Sequence, residues 1–195
     1  HTKPVTLQGE ESAWGPVVQH QADGRVLSLR WAAHLPGAVN LGLTRLATAK
    51  DVDDAMRLAQ DIALPTQNVV IADTQGQIAW RLLGPIPQRA ASCPNAALVI
   101  DAQHADCPPW AISTRNNPVL RSPEFPRLWT ANARVVDGPT LATAGDGGYV
   151  LGARAAQIRD DLLRKQRFSE RDLLAVQLDD RAVFLSPWQQ LLQTR

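Results

Sequence analysis

Two short turns, each flanked by alternating apolar residues, constrain the fold of this chain most. In "WGPVVQHQADGRVLSLRW" the runs over 14–20 and 25–31 flank the turn residues QADG. In "NVVIADTQGQIAWRLL" the runs over 68–72 and 77–83 flank DTQG. A glycine after a short polar residue favours a tight hairpin because glycine tolerates positive φ. We therefore predict two antiparallel β-hairpins.

A stretch between the hairpins has apolar residues at helical spacing. Thr48 and Asp51 resemble a capping box, and Pro65 marks the end of the pattern. The spacing predicts an amphipathic helix over 48–64, whose apolar positions are Val52, Ala55, Met56, Ala59, Ile62 and Ala63.

The C-terminal third shows the same spacing. Residues 149–166 form one helical pattern, and residues 169–179 form a second, which begins at a capping box of Ser169 and Asp172. Together with the hairpins, these patterns predict an α/β (α+β) fold of antiparallel sheets with covering helices. We expect both the 48–64 helix and the C-terminal helices to cover one face.

The length and composition favour one domain. The chain has 195 residues, of which 45% are hydrophobic, and this is enough to bury a core. We divide it into hairpins plus a helix over 1–90, a proline-rich excursion over 91–125, and a strand with helices over 126–195. A proline-rich segment of this length is usually functional or wraps another part of the protein.

Charge and hydropathy argue against two kinds of partner. Twenty basic and nineteen acidic residues give a net charge of +1, and no lysine or arginine run suits a phosphate backbone or an anionic membrane. No apolar run approaches the roughly 20 residues that cross a bilayer. The N-terminal "HTKPVTLQGEES" lacks the apolar core of a signal peptide. We expect neither nucleic acid nor a membrane as a partner.

The two cysteines, Cys93 and Cys107, leave two interpretations open. A disulfide between them would close a loop of 107 − 93 = 14 steps, which stabilises a fold by about 3 kcal/mol if the geometry permits. Two separate buried thiols are the alternative, since only two cysteines give weak evidence for a disulfide. The disulfide would favour an oxidising compartment.

Motifs for cofactors and nucleophiles are absent from the sequence. The histidines form no HxH or HExxH pattern, and the cysteines lack CxxC spacing, so no transition metal is expected. Neither a dinucleotide fingerprint, a P-loop nor a G-x-S-x-G serine is present.

The tryptophans leave a non-catalytic, β-rich binding or interaction domain as an alternative, with Trp14, Trp31, Trp80, Trp110 or Trp129 presented to a ligand. Trp31 and Trp80 lie in the alternating runs, where large rings normally fill the core.

A series of short motifs appears in a definite order along residues 14–163. They are "WGPVVQH", "DGRVLSLRWAAH", "DVDDAMRLA", "PTQNVVIADTQGQIAWRLLGPIPQR", "LWTANARV" and "LGARAAQIRDDLL". In this order they resemble the penicillin acylase family of N-terminal-nucleophile hydrolases, which includes penicillin, cephalosporin and acyl-homoserine lactone acylases. The resemblance implies part of an αββα sandwich. It also implies an amidohydrolase that cleaves an acyl chain from a small amine such as a β-lactam nucleus or homoserine lactone.

The resemblance also implies what this sequence lacks. Members of the family cut themselves from a precursor and leave a serine at the start of the β chain, whose α-amino group is the general base. Here residue 1 is His1, and the motifs correspond to the middle of the β chain. We expect an internal fragment that is inactive by itself and whose partners are the α chain, the nucleophile-bearing part of the β chain and a small acyl-amide substrate. A catalytically dead homologue is the alternative. The family implies a periplasmic or secreted location.

Two residues match the family's catalytic positions. Asn132, in "TAN", matches an asparagine whose amide stabilises the oxyanion, and Arg154, in "LGAR", matches an arginine that orients that asparagine and the nucleophile's amino group. From the residues alone, Asn132 could instead satisfy backbone groups in a turn, and Arg154 could be a surface arginine. We predict that "LWTA" is a strand that delivers Asn132 to a cleft, with Arg154 in the first turn of a helix.

A calcium site is a further implication of the resemblance. Some relatives bind calcium through a backbone carbonyl near the position of Pro87 and an aspartate near that of Asp146. Calcium takes six to eight oxygen ligands, so these two residues alone are too few. Apart from this ion, we expect no cofactor.

Overall fold

The computed structural model describes residues 6–93, 99–102, 107–145 and 147–194. The strands of this part of the chain are β1 Glu11–Ser12, β2 Gly15–His20, β3 Val26–Ser28, β4 Gln67–Ala72, β5 Ile78–Leu83, β6 Ile86–Gln88, β7 Ala111–Ser113 and β8 Val119–Arg121. The α-helices are α1 Val52–Leu58, α2 Gly138–Ala144, α3 Ala153–Leu163, α4 Glu170–Gln177 and α5 Ser186–Gln193. Short 3-10 helices cover Ala32–His34, Gly42–Thr48, Ala59–Asp61 and Val183–Leu185.

All strand pairs in the described residues are antiparallel, as predicted. They form three sheets, with the orders β1-β2-β3, β4-β5-β8 and β6-β7. Both predicted hairpins are present, as β2–β3 and β4–β5. Helix and sheet therefore combine as the mixed α+β fold that the sequence predicts.

The N-terminal hairpin is shorter than its alternating pattern suggests. Gly24 closes the turn at φ +84 and donates its backbone N–H to Gln21 O at 3.1 Å. The β3 strand ends at Ser28, and Trp31 lies beyond it with 52% of its surface exposed. The prediction that Trp31 fills the core is therefore wrong, because pairing stops before the ring reaches the sheet.

The central sheet is built around β5. Its neighbour β4 pairs with it in continuous register from Gln67↔Leu83 to Ala72↔Ile78. Asp73 holds the turn between these strands, because its Oδ1 accepts the backbone N–H groups of Gln75 and Gln77, both at 2.9 Å. On β5, residues 79–81 and 83 are all buried, so this strand forms the centre of the core.

The helix α1 packs on this sheet. Val52 and Met56 contact Ala79, and Ile71 packs against the same cluster. Each of the six positions predicted to face inwards on the 48–64 helix is buried. This places the core between α1 and the β4–β5 hairpin.

The helix itself is shorter than 48–64. Asp51 is the N-cap residue and accepts the backbone N–H of Asp54 at 2.7 Å, whereas Thr48 belongs to the preceding 3-10 helix and donates its hydroxyl to Arg45 O. Beyond the short 3-10 turn that follows α1, Asn40 accepts the N–H of Ala63 and donates to Asp61 O. The helical hydrogen-bond pattern stops there, before Pro65 is reached.

The buried Arg81 ties α1 to the sheet and to a distant loop. Its side chain donates to three carbonyl oxygens, Leu82 O at 3.1 Å, Met56 O at 3.2 Å and Thr114 O at 2.8 Å. Burial lowers the pKa of this guanidinium, but arginine stays protonated in proteins. The carbonyls therefore solvate a buried cation and anchor the loop that precedes β8.

The proline-rich segment returns to the sheets rather than leaving the domain. Its strand β7 pairs with β6, and β8 adds a third strand to the central sheet beside β5. Cys93 and Cys107 are joined in a disulfide, with their Cα atoms 4.6 Å apart. The cross-link holds together the two ends of the loop between β6 and β7.

The C-terminal helices expose much of their apolar surface. Helix α3 contacts α4. Among the described residues of α3, α4 and α5, Asp161 is the one residue that is buried. These helices thus contribute no buried apolar side chain to the sheet core, since α1 already packs on the central hairpin. No helix in the described part of the chain is long and apolar enough to cross a membrane.

Candidate active site

Asn132 lies in an irregular turn between the core and the C-terminal helices. Its φ of +62° is in the left-handed region, which asparagine adopts more readily than most residues with a Cβ atom. The backbone is fixed there because Val150 N–H donates to Asn132 O at 3.0 Å and the adjacent Ala133 is buried. The side chain of Asn132 itself is exposed.

Arg154 lies in the first turn of α3, and its side chain reaches Asn132. Its Nη2 donates to Asn132 Oδ1 at 2.8 Å and to Ala131 O at 3.3 Å. The structure thus brings together the two residues that the sequence paired across 154 − 132 = 22 positions.

This hydrogen bond sets the direction of the asparagine amide. A guanidinium only donates, so the amide atom that faces Arg154 must be the oxygen. The Nδ2 group of Asn132 then points away from Arg154, and it has no partner among the described residues. The result is an exposed, oriented amide donor without a charge of its own.

The chain reaches this turn without a strand. Residues 126–131, all of which the structure describes, have no strand pairing, so the predicted strand "LWTA" is wrong. No neighbouring segment of the described chain supplies ladder hydrogen bonds to it. After the turn comes α2, which the sequence analysis did not predict.

A cleft of about 640 Å³ lies near the Asn132–Arg154 pair, since Ala133 and Ala155, the residues that follow Asn132 and Arg154 in the chain, line it. Trp129 and Ala133 line it from the Asn132 turn, and Gly152 and Ala155 line it from the start of α3. Arg134 also reaches this cleft. A cleft of this volume is within the range that holds small molecules in proteins.

A second cleft of about 750 Å³ lies between β6, the disulfide and α2. We call it the arginine cleft because Arg89 and Arg134 both line it. Tyr149 and Arg134 line both clefts, so the two spaces adjoin. Sequence reasoning did not assign Arg89, Arg134 or Tyr149 to a site, although Arg89 and Arg134 lie within the motifs that end in GPIPQR and LWTANARV.

The calcium prediction concerns the arginine cleft, because Pro87 lines it, while Asp146 lies outside the described residues. The described residues contain no cluster of three side chains that could hold a metal ion. A Cβ atom on Gly145 would lie 2.3 Å from Arg89 Nη2, so a guanidinium occupies the space beside it. The calcium site stays a prediction.

Three of the five tryptophans named for the alternative of a binding domain are engaged within the fold, whereas Trp31 is exposed and Trp129 lines the 640 Å³ cleft. The guanidinium carbon of Arg30 lies 3.9 Å from the ring centroid of Trp14 and 5.3 Å from that of Trp110. Trp80 is almost fully buried and donates its Nε1–H to Asn68 Oδ1. These rings are engaged within the fold rather than free for a ligand.

The fold places the chain in a known structural class. It is similar to the solved structure of a thermostable penicillin G acylase from Alcaligenes faecalis in orthorhombic form, with a TM-score of 0.65 at 20% sequence identity. The match covers 84% of this chain and 29% of that chain, so the chain spans less than a third of the acylase's length. The class is therefore the mixed α+β fold of the penicillin acylases, as predicted.

The sequence identifies the family. The profile of the penicillin amidase family matches residues 1–194. The chain belongs to the penicillin amidase family, and the resemblance seen in its ordered motifs is confirmed. No curated protein matches it in sequence.

Proposed function

We propose that this chain supplies the oxyanion-stabilising part of an amidohydrolase site in a parent acylase. The observation that carries the proposal is the 2.8 Å hydrogen bond from Arg154 Nη2 to Asn132 Oδ1. It turns the amide N–H group of the exposed Asn132 away from Arg154, and the next residue, Ala133, lines the 640 Å³ cleft. Membership of the penicillin amidase family supports the reaction class, cleavage of the amide between an acyl chain and a small amine.

In amide hydrolysis the carbonyl oxygen of the substrate gains negative charge as the nucleophile attacks. A donor that is already aimed at this oxygen lowers the barrier without reorganising. Asn132 Nδ2 suits this task because it donates a hydrogen bond to the oxyanion but does not transfer its proton. Arg154 acts through Asn132 and is therefore a positioning residue.

The proposal assigns the nucleophile to another segment of the parent protein. That nucleophile is an N-terminal serine whose α-amino group takes up its proton, and the remaining α and β segments are the partners of this chain. The 195-residue chain alone should therefore release no amine from an acyl amide. A periplasmic or secreted location is supported by the disulfide between Cys93 and Cys107, which persists in oxidising compartments. The small amine is a β-lactam nucleus or a homoserine lactone.

The proposal is tested by the kinetics of the parent acylase carrying Asn132→Ala. Loss of one oxyanion donor lowers kcat by about 100-fold or more, with little change in KM. Alanine tolerates the left-handed φ of position 132 less well than asparagine, so the thermal midpoint is measured alongside and should fall only modestly. Arg171→Ala on α4, an exposed residue far along the chain, is the matched control and should keep wild-type kcat. Wild-type kcat in Asn132→Ala would refute the proposal.

A further inference from the structure

We propose that Arg127 is a positioning residue of the candidate active site, because it fastens the segment that leads to Asn132 onto the loop at the far end of α3. The inference deepens the proposed function and rests on it for the role of Asn132. Its own basis is the course of residues 126–131 beside α3 and the arginine contacts that tie this segment to the helix at both ends.

The segment 126–131 has little backbone support of its own. Before it, Phe125 N–H donates to Arg121 O at 3.1 Å, and after it Asn132 O accepts from Val150 N–H. Between these two bonds, the backbone of 126–131 forms no hydrogen bond with another backbone group of the described chain. The position of the segment therefore depends on side-chain contacts.

Arg127 makes one of these contacts. Its Nη2 donates to Lys165 O at 2.6 Å and to Gln166 O at 3.2 Å, in the loop that follows α3. That loop is held in turn by the start of α4, because Lys165 forms an ion pair with Asp172, whose carboxylate also closes the capping box with Ser169. A charged donor strengthens both bonds to the loop carbonyls.

Arg154 makes the second contact, at the opposite end of the helix. From the first turn of α3 it donates to Asn132 Oδ1 and to Ala131 O. The eleven residues of α3 span about 16 Å, and the 132 − 127 = 5 steps from Arg127 to Asn132 span at most about 18 Å. The segment therefore runs antiparallel beside α3 and is tied to it at both ends.

The 640 Å³ cleft lies between these two walls. Trp129 and Ala133 line it from the segment and its turn, and Ala156 and Arg159 line it from α3. Because the contacts of Arg127 and Arg154 join the two walls, they set the distance between the segment and the helix.

The helix α3 is the fixed wall. Its buried Asp161 accepts from Arg181 Nη2 at 3.3 Å, and Gln157 Nε2 donates to Asp179 Oδ2 at 2.7 Å. Arg181 also donates to Asp179 through Nε and Nη2, both at 2.7 Å, and these bonds lower the pKa of Asp179 and raise that of Arg181. The helix is thus clamped to the loop after α4, so loss of Arg127 would displace the segment rather than α3.

The first test follows the Asn132 amide in the 195-residue protein by NMR, through its two Nδ2 proton signals. In Arg127→Met, which keeps a long side chain but removes the donors, both signals should shift. In Arg127→Lys, which keeps one donor, they should return part of the way. Arg167→Met is the matched control, because it removes a charge from an exposed residue of the α3–α4 loop, and it should leave the signals unchanged.

The second test measures the kinetics of the parent acylase, with rates referred to the folded fraction. A misplacement of about 1 Å caused far from the reacting atoms can cost about 100-fold in rate. Arg127→Met should lower kcat by about tenfold, since Arg154 still holds Asn132. KM should change little, because an oxyanion donor acts in the transition state. Arg127→Lys should recover part of the rate, and Arg167→Met should keep wild-type kcat.

Three results would overturn the inference. They are unchanged Asn132 signals in a folded Arg127→Met protein, an equal shift in Arg167→Met, and wild-type kcat in the Arg127→Met parent. If Arg127→Met does not fold, Arg127→Lys still decides, because it should shift the Asn132 signals where Arg167→Lys should not.

The proposed function fails or stands separately. If Asn132→Ala keeps wild-type kcat, the proposed function fails, and the NMR signals still decide whether Arg127 positions the Asn132 amide, since they need no turnover. If Asn132→Ala loses activity while Arg127→Met changes neither the signals nor kcat, the proposed function stands and this inference fails.

Discussion

At the scale of single residues, position 132 meets two demands at once. Its φ of +62° disfavours most residues with a Cβ atom, and in the proposed function its side chain must offer an N–H to a substrate while accepting from an arginine. Glycine would satisfy the backbone and aspartate the arginine, whereas the asparagine amide supplies an acceptor and a donor on two separate atoms. Strained backbone at such a position is typical of functional sites.

The pairing of Arg154 with Asn132 leads to a prediction of non-additive kinetics. Arg154→Ala should lower kcat by about as much as Asn132→Ala, roughly 100-fold, because the amide loses its orientation. The double variant should be no slower than the slower single variant, since Arg154 acts through Asn132. Steady-state kinetics of the four parent enzymes measure this cycle.

Two results would separate the alternatives for Arg154. Arg154→Lys should recover part of the rate, because one donor can still reach Oδ1. If the two single effects multiply in the double variant, Arg154 has a role of its own and is not a positioning residue for Asn132.

At the scale of elements, Gly84 controls how β5 leaves the sheet. Its φ is +107, and a Cβ atom there would lie 2.3 Å from the backbone oxygen of Leu64, which cannot move aside. Gly76 also has positive φ, +79, but nothing lies within 4 Å of the added atom. Substitutions at Gly76 and Gly84 therefore separate the free-energy cost of a left-handed backbone from the cost of a steric collision.

We expect Gly76→Ala to lower the free energy of unfolding by about 1–2 kcal/mol, the cost of a left-handed backbone with a Cβ atom. Gly84→Ala should lower it by clearly more, because backbone atoms must also shift. Urea unfolding followed by circular dichroism measures both. Equal losses in the two variants would show that the contact at Leu64 is not rigid.

Asp73 makes the contact between helix and hairpin dependent on pH. Its carboxylate accepts the backbone N–H groups of Gln77, Val52 and Gln75, and these bonds, with Gln77 first, hold its pKa below the ordinary 3.8. A carboxylate with a lowered folded pKa contributes stability that is full above its unfolded pKa and is lost as pH falls through the folded value.

Asp73→Asn should therefore be less stable than the wild type at pH 7, and the difference should shrink as pH falls below about 4. Urea midpoints between pH 7 and pH 2.5 measure it, with Asp23→Asn in the first hairpin as an exposed control. A difference that stays constant down to pH 2.5 would show that the charge of Asp73 is irrelevant.

The sequence predicted elements well where local patterns determine them. The two glycine turns gave both hairpins, and the apolar spacing gave the buried face of α1. The prediction failed where tertiary contacts decide the structure. The helical pattern that begins at α1 ends earlier than predicted, because Asn40, which lies 21 residues before Asp61 in the chain, donates to Asp61 O. The prediction also missed β8, whose three residues become a strand only by pairing with β5.

At the scale of the molecule, the candidate active site combines two segments that are separate in the sequence. The Asn132 turn and the start of α3 bring the amide and its arginine together, as the resemblance implied, and their catalytic roles stay a prediction. The arginine cleft could not be predicted from the sequence, because Arg89 and Arg134 are 134 − 89 = 45 residues apart. They line the same cleft only in the folded chain. The exposed apolar residues of α4 and α5 are consistent with the proposed packing against other segments of the parent.

The central claim, that Asn132 stabilises the oxyanion, is tested most directly by a crystal structure of the parent acylase with a tetrahedral adduct on its nucleophile. The account predicts the oxyanion about 2.7–3.1 Å from Asn132 Nδ2, with Arg154 Nη2 still hydrogen-bonded to Oδ1. An adduct whose oxyanion is held by other donors, with the Asn132 amide turned into the protein or well beyond hydrogen-bond distance, would contradict it.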